Sequence, residues 1–383
     1  MTLCFFSAQY LPTVGGVERY TYNLAKCAIV RGHKAIVMTS AFEGLPQHET
    51  DADGIEIFRL PVIPLMGGRF PILKPCSEFG LLEKKLWSRK IDLVIANNLF
   101  YVSSIYAVGQ AKKRGIPTIL INHGTRYLMT GNKVLVLMGR VYEWLTAKLI
   151  KRSCTHFFAV SGEGVRWLKN TFDITADGVI YNAVSPSEIA ELAKTGEKDW
   201  RVKLGLKPSA KIIGFSGRII PEKGADRLCA AMKSIRESVP DAVAVLAGGG
   251  NLFERLKEER YEGVYLLGQQ SYENSLSLIE QSNVFCLPTR SEGFASTVLE
   301  AAALKTPIIT TSTGGSTELL QDESFGVLIP DMSKIEITRA CVFVLENEEW
   351  RRNAADKTYR KLCAQFTWEK SADALLNIVN SIG

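Results

Sequence analysis

The chain has 383 residues, 46% apolar and 22% charged, which is the balance of an ordinary soluble globular protein and a length for two domains. No apolar run approaches the roughly 18 residues of a membrane span, and Met1–Phe6 carries neither a basic segment nor a small-residue cleavage site, so no secretory leader is expected. The eight cysteines stand singly, at 4, 27, 76, 154, 229, 286, 341 and 363, with no C-x-x-C among them; this excludes the usual metal and redox spacings and predicts buried, reduced thiols in the cytoplasm. The net charge of +6 is unevenly divided. Residues 1–182 hold 22 Lys/Arg against 13 Asp/Glu, and the remainder 24 against 27. That asymmetry points the first half toward an anionic partner, a membrane surface or a phosphorylated acceptor, while the absence of any nucleic-acid motif argues against DNA or RNA.

In chain order, Leu3–Phe6, Ala35–Thr39, Leu93–Ala96, Thr118–Ile121, Phe157–Val160 and Val179–Tyr181 read as strands. Val17–Val30 reads as a helix closed by Gly32. Strand, helix and strand at this spacing imply a parallel α/β sheet. Between Leu60 and Lys74 the apolar residues are interrupted by Pro61, Pro64, Gly67, Gly68 and Pro71, which predicts a loop. Farther on, Val134, Leu137, Met138, Val141, Trp144, Leu145 and Leu149 share one helical face, with Lys133, Arg140, Lys148, Lys151 and Arg152 beside it. Such a helix either lies on anionic lipid or turns its apolar face to the core.

The pattern lapses into polar residues around Tyr181–Lys198, and a second series of strands follows: Lys211–Phe215, Val243–Gly248, Val264–Leu267, Val284–Leu287, Pro307–Thr311 and Val327–Ile329. After the first of these comes Gly214-Phe215-Ser216-Gly217-Arg218-Ile219-Ile220-Pro221-Glu222-Lys223-Gly224. Small residues there let the backbone approach a ligand, and two cations suit a pyrophosphate. It is neither a P-loop nor a G-x-G-x-x-G loop. After the fourth comes Arg290–Leu304, where a turn around Gly293 leads into a helix. Thr297-Val298-Leu299-Glu300 within it fits a capping box.

These motifs, with Ala247-Gly248-Gly249-Gly250 and Thr313-Gly314-Gly315 plus Glu318, occur in an order that resembles the family 4 retaining glycosyltransferases of the GT-B fold. The resemblance extends to Pro12–Arg19, similar to the family's glycine loop; to Asn122-His123-Gly124 and Ala159-Val160-Ser161, similar to its strand ends; to Val179–Asn182, similar to its hinge; and to Phe366–Glu369, similar to its returning C-terminal segment. The fold implied is two Rossmann-like α/β domains facing each other across a cleft: an acceptor-side domain over 1–182, a nucleotide-sugar domain over 183–365, and a segment over 366–383 that crosses back.

The resemblance also implies roles. Arg218 and Lys223 would hold the donor pyrophosphate. Glu300 would accept from the ribose hydroxyls, and Glu292 from the donor sugar, aided by the backbone of Gly293, Phe294 and Ala295. Ser296 and Thr297 would present amides to a phosphate, and Gly15 and Gly16 would close over the phosphates. His123 would sit beside the transferred sugar; Asn97, Asn98 and Arg126 would lie on the acceptor side. The implied reaction is metal-independent transfer from a nucleoside-diphosphate sugar, with no cofactor besides that donor. UDP-sugar is favoured over GDP-mannose. The implied acceptor is a lipid-linked or cell-surface glycan precursor, met in the cytoplasm or at the inner membrane face. The alternatives are a small soluble acceptor and a non-catalytic sugar-nucleotide-binding protein. A dinucleotide oxidoreductase is disfavoured, because both halves lack the glycine fingerprint and Met38-Thr39-Ser40 offers no ribose-binding acid.

The chain departs from the family pattern in three places: Asn182-Ala183 at the hinge where Asn-Gly is usual, Ala295 where a glycine is often found, which bears on the donor sugar, and Asn97-Asn98 where relatives often carry a histidine, which bears on the acceptor. Asp51-Ala52-Asp53 spells the D-x-D of metal-dependent transferases but runs into Gly54 and a strand, which predicts an Asp-Gly turn instead.

Overall fold

A computed structural model describes residues 1–13, 15–65, 68, 70–127 and 133–382. The chain divides into two compact units, Met1–Asn182 with Trp368–Gly383, and Ala183–Thr367. Val14 of the glycine loop and Gly67 of the apolar segment lie outside the described residues. No helix among them is long and apolar enough to cross a membrane.

The first unit runs β1 (Thr2–Phe6), α1 (Gly16–Val30), β2 (Lys34–Ser40), β3 (His48–Thr50), β4 (Glu56–Leu60), β5 (Val62–Leu65), β6 (Phe70–Leu73), α2 (Ser77–Trp87), β7 (Leu93–Asn97), α3 (Val102–Lys113), β8 (Thr118–Asn122), α4 (Lys133–Lys151), β9 (His156–Ala159), α5 (Gly162–Phe172) and β10 (Gly178–Val179). Its main sheet has the order β10-β9-β8-β7-β1-β2-β4-β3, parallel throughout except where β3 pairs with β4. Helices cover a parallel sheet on both faces, so its central strands are continuous apolar runs; Leu3–Phe6, Val94–Ala96 and Ile119–Ile121 are buried along their whole length. From β1 the order grows one way through β2 and the other way through β7. That reversal opens a crevice at the carboxyl ends of β1 and β7. α1 buries Tyr20, Leu24, Ala25 and Ala28 at helical spacing. Gly32, at φ 83°, ends it by donating to the Ile29 carbonyl.

The proline-interrupted segment is not a loop. β5 and β6 form an antiparallel hairpin in which Pro64 stands opposite Pro71. The Lys74 amide donates to the Pro61 carbonyl, so by alternation the two prolines meet at a non-hydrogen-bonded pair, where a missing N–H costs no ladder bond.

The second unit runs α6 (Pro186–Thr195), α7 (Trp200–Lys203), β11 (Lys211–Ser216), a short 3₁₀ turn (Pro221–Lys223), α8 (Ala225–Ser238), β12 (Ala242–Ala247), α9 (Phe253–Glu259), β13 (Val264–Gly268), α10 (Tyr272–Gln281), β14 (Val284–Leu287), α11 (Ser296–Ala303), β15 (Ile308–Thr311), α12 (Ser316–Leu319), β16 (Val327–Ile329), α13 (Lys334–Glu346) and α14 (Glu348–Gln365). The stretch that lapses into polar residues thus holds a helix, α6, started by Pro186 and anchored by buried Ile189 and Ala193. The sheet order β13-β12-β11-β14-β15-β16 reverses between β11 and β14. The last helix, α15 (Trp368–Ile382), belongs to the first unit. The Trp368 ring meets Tyr20 edge-on at 5.8 Å, Asp373 pairs with Arg31 at 2.7 Å, and the Ser371 hydroxyl donates to the Tyr181 carbonyl.

Candidate active site

In the second unit, the loops that leave β11 and β14 meet at the reversal of strand order, where ligands of open α/β sheets bind. They are tied together by backbone and side chain. The Arg290 amide donates to the Glu222 carbonyl at 2.7 Å, the Thr289 hydroxyl to the same carbonyl at 3.1 Å, and the Lys223 ammonium pairs with the Glu292 carboxylate. The one Thr289 proton is shared, since the Glu292 carboxylate lies 3.0 Å from the same hydroxyl. Lys223 is 20% and Glu292 13% exposed at the side chain, so the pair is shielded yet reachable. Arg218, on the same loop as Lys223, stands exposed, with no ion-pair partner among the described residues.

Glycines make this convergence possible. Gly224 has φ 69°, and a Cβ there would lie 2.2 Å from the Pro288 carbonyl. Gly314, at φ 57°, brings the loop after β15 against the loop after β14; its Cβ would lie 2.4 Å from the Gly293 carbonyl and 2.5 Å from that of Glu292. The Gly315 amide donates to the Gly293 carbonyl at 2.9 Å, and Phe294, packed edge-on against Phe366, fills the space a side chain at Gly315 would need. Gly293 to Ala295 are thereby held from both sides.

α11 starts at Ser296 with Ala295 as its N-cap, and no side chain caps it. The capping box expected at Thr297 and Glu300 therefore does not form, because Thr297 already lies inside the first turn. Its amide and that of Ser296 remain at the positive end of the helix. Glu300 is buried on α11 and accepts from the Tyr272 hydroxyl at 3.1 Å.

In the first unit, His123, Asn97 and Asn98 come together at the ends of β8 and β7. The Thr21 hydroxyl donates to the Val17 carbonyl at 2.8 Å, so its oxygen accepts from Asn97 Nδ2 at 3.0 Å. Asn97 Oδ1 is then turned to His123 Nε2 at 2.8 Å. An acceptor there requires a proton on Nε2, which leaves Nδ1 with the lone pair. The Tyr20 ring packs edge-on against the imidazole at 4.6 Å, and Asn98 Oδ1 accepts from the His123 amide. Enclosure of the ring lowers the His123 pKa to about 3, although the residue as a whole is only half-buried. Asn98 adopts φ 69°, which asparagine tolerates better than most residues. Asn97 is 1% exposed with both amide atoms engaged, so it supports His123 and is not a surface for an acceptor. Arg126 is exposed.

Gly15 is the N-cap of α1, and the buried Glu18 carboxylate folds back against it; a Cβ at Gly15 would meet Glu18 Oε2 at 2.2 Å. Gly16 opens the helix itself.

The D-x-D stretch is the expected turn. Asp51 Oδ1 accepts from the Asp53 and Ile55 amides, Gly54 has φ 85°, and Asp53 is held by Tyr22 and Lys26. Among the described residues no cluster of three or more His, Cys, Asp or Glu is placed to hold a metal ion.

Sequence reasoning missed Thr289, Tyr272, Thr21 and Tyr20. Thr289 lies three residues before Glu292 in one turn and was open to detection by that spacing. Tyr272, Thr21 and Tyr20 reach their partners only through the tertiary fold and leave no local signal.

The sequence matches the family model described as Glycosyltransferase Family 4 over residues 14–188 and that described as Glycosyl transferases group 1 over residues 196–361. It is 23% identical over 382 residues to a subunit of human phosphatidylinositol N-acetylglucosaminyltransferase, covering 97% of this chain and 74% of that protein. The fold is shared with sucrose-phosphate synthase from Thermosynechococcus elongatus, with a TM-score of 0.79, 18% identity and coverage of 100% and 98% of the two chains. It is also shared with Anabaena HepE in complex with UDP-glucose, with a TM-score of 0.73, 18% identity and full coverage of both chains. Matched along almost its whole length by two glycosyltransferase models, one over each unit, the chain belongs to the group 1 glycosyltransferases and has their GT-B fold.

Proposed function

We propose that this glycosyltransferase moves a sugar from a nucleoside-diphosphate donor, a UDP-sugar in preference to GDP-mannose, to a hydroxyl of a lipid-linked or cell-surface glycan precursor, with retention of anomeric configuration and without a metal ion. The observation that carries the reading is the Lys223–Glu292 pair, which joins the two loops at the strand-order reversal beside Arg218 and the start of α11. The complex of the similarly folded HepE with UDP-glucose supports the donor class.

Two cations on one loop suit a diphosphate whose negative charge grows as the glycosidic C1–O bond breaks, and stabilisation of such charge is the largest kind of catalytic contribution. Arg218 and Lys223 take that role. The amides of Ser296 and Thr297 complete the anion site at the α11 terminus. Carboxylates accept hydrogen bonds and sugars donate them, so Glu292, with Gly293, Phe294 and Ala295, is assigned to the sugar, and Glu300, oriented by Tyr272, to the ribose. Gly15 and Gly16 are assigned to the phosphates. Neutral His123 offers the Nδ1 lone pair to a sugar hydroxyl and has no proton to give from that nitrogen.

In the retaining step the C1–O bond to the leaving phosphate breaks and the C1–O bond to the acceptor forms on the same face. The acceptor proton passes to the departing phosphate oxygen. The similarity to a phosphatidylinositol N-acetylglucosaminyltransferase favours a lipid acceptor over a small soluble one, and the basic first unit favours work at an anionic membrane surface.

Incubating the purified chain with UDP-, GDP- and ADP-sugars tests the proposal through nucleoside-diphosphate release and the anomeric form of the product. Release with a retained anomer is expected. Binding without turnover would support the non-catalytic alternative, and binding of no donor would overturn the proposal.

A further inference from the structure

We propose that α4 is a membrane-docking helix, which seats the first unit on a bilayer rich in anionic lipid. This deepens the lipid-linked acceptor reading above and rests on it for its purpose, though not for its geometry. A surface helix ordinarily buries its apolar stripe and shows its polar one. α4 does the reverse. Gly139, Glu143, Thr146, Ala147 and Ile150 face the protein, while Leu137, Met138, Val141, Trp144, Leu145 and Leu149 face outward at 47–64% exposure. At about 100° per residue these outward positions span an arc of roughly 140°. Eight of the seventeen large apolar side chains exposed among the described residues lie on this one helix, so it is a contiguous patch and not the usual scatter of single exposed residues.

The charge on α4 selects the occupant. Lys133, Arg140, Lys148 and Lys151 are all exposed, as is Arg152 just beyond the helix, and the helix's one acid, Glu143, is buried. Lys148 lies over the Trp144 ring at 3.6 Å, so the cation stays beside an aromatic that is amphipathic in the way interfacial residues are. The hairpin β5–β6 abuts the helix through Phe70, whose ring meets Tyr142 edge-on at 5.7 Å; its strands contain no acidic residue and expose Ile63 and Leu65. An apolar face edged by cations, whose one ion-paired member among the described residues is Lys151 with the exposed Asp173 at the helix's far end, complements anionic head groups over acyl chains. It suits a second copy of this chain poorly, since a self-paired face would set the same cations against each other.

The test is flotation of the full chain with vesicles of phosphatidylcholine alone and of phosphatidylcholine mixed with phosphatidylglycerol. The variants are V141D/L145D and R140E/K148E, whose changed residues are exposed and make no part of the assigned donor site. Wild type is expected to float with the anionic vesicles, and each double variant to lose at least about tenfold of that binding, with unchanged unfolding temperature and donor turnover. Equal flotation of wild type and V141D/L145D would overturn the proposal, as would no flotation with either vesicle. So would a wild-type dimer that V141D/L145D converts to monomer, because the face would then belong to a second copy. Donor turnover without flotation would remove only the docking helix, and flotation without turnover of any donor would remove only the enzymatic reading.

Discussion

His123 Nε2 lies 2.8 Å from Asn97 Oδ1, and because Thr21 holds the other end of that amide, the contact fixes which imidazole nitrogen carries the proton. Desolvation keeps the ring neutral, with its pKa lowered to about 3. A depressed folded pKa means that the unfolded chain binds the proton more readily. The stability it contributes is complete above about 6.5, the ordinary histidine value, and is lost as pH falls from there toward 3. NMR titration of the His123 ring should show no protonation between pH 5 and 8, and the rate profile should have no limb from this residue. Asn97→Asp, which puts a carboxylate against Nε2, should raise the His123 pKa by more than about one unit. An unchanged titration in that variant would contradict the assigned network.

Glu300 is buried and bound to Tyr272, so its assigned duty to the ribose predicts a graded result in calorimetry. Glu300→Gln should weaken nucleoside-diphosphate binding by about tenfold, the effect of removing one charge-assisted hydrogen bond. Tyr272→Phe should weaken it less, since the carboxylate remains and loses only its orienting partner.

Gly314 combines a left-handed backbone with carbonyls of Gly293 and Glu292 within 2.5 Å of any added Cβ. Gly314→Ala should destabilise the second unit by about 1–3 kcal/mol and displace the loop that carries Glu292. Denaturant unfolding would measure the first effect and a raised KM for donor the second. The same substitution at Gly249, where nothing lies within 4 Å of the added Cβ and φ is ordinary, should be close to neutral.

The proposed chemistry assigns the leaving group to Arg218 and Lys223. Exhaustive chelation with EDTA should therefore leave the rate of nucleoside-diphosphate release unchanged, and a rate restored only by added Mg²⁺ or Mn²⁺ would refute the metal-independent step.

Much of the fold was legible because its signals are local. Continuous apolar runs as short as Leu3–Phe6 and Val284–Leu287 read as doubly covered parallel strands, and glycines such as Gly32 sit where a helix stops. The hairpin at Val62–Leu73 was not legible, because proline reads as a breaker until its partner strand shows that the N–H would be unused. The capping box at Thr297 failed for a similar reason: the pattern fits, but the helix begins two residues earlier, with Ala295 as its N-cap, where the close approach of Gly293 and Gly314 sets the path of the chain. The cations and carboxylates of the candidate site were visible as residue types in loops. Their pairing, Lys223 with Glu292 and Glu300 with Tyr272, depends on elements far apart in sequence. The outward turn of the α4 apolar face was likewise undecidable from periodicity, which gives a stripe its width but not its direction.

The central claim is that Lys223, held at the strand-order reversal by Glu292, stabilises a departing nucleoside diphosphate. Release of nucleoside diphosphate by the wild-type chain, with whichever donor it accepts, set beside release by Lys223→Ala under saturating donor, tests it most directly. The account predicts a fall of at least about a hundredfold in kcat, as for loss of a group that acts on transition-state charge. Equal rates in the two proteins would contradict it.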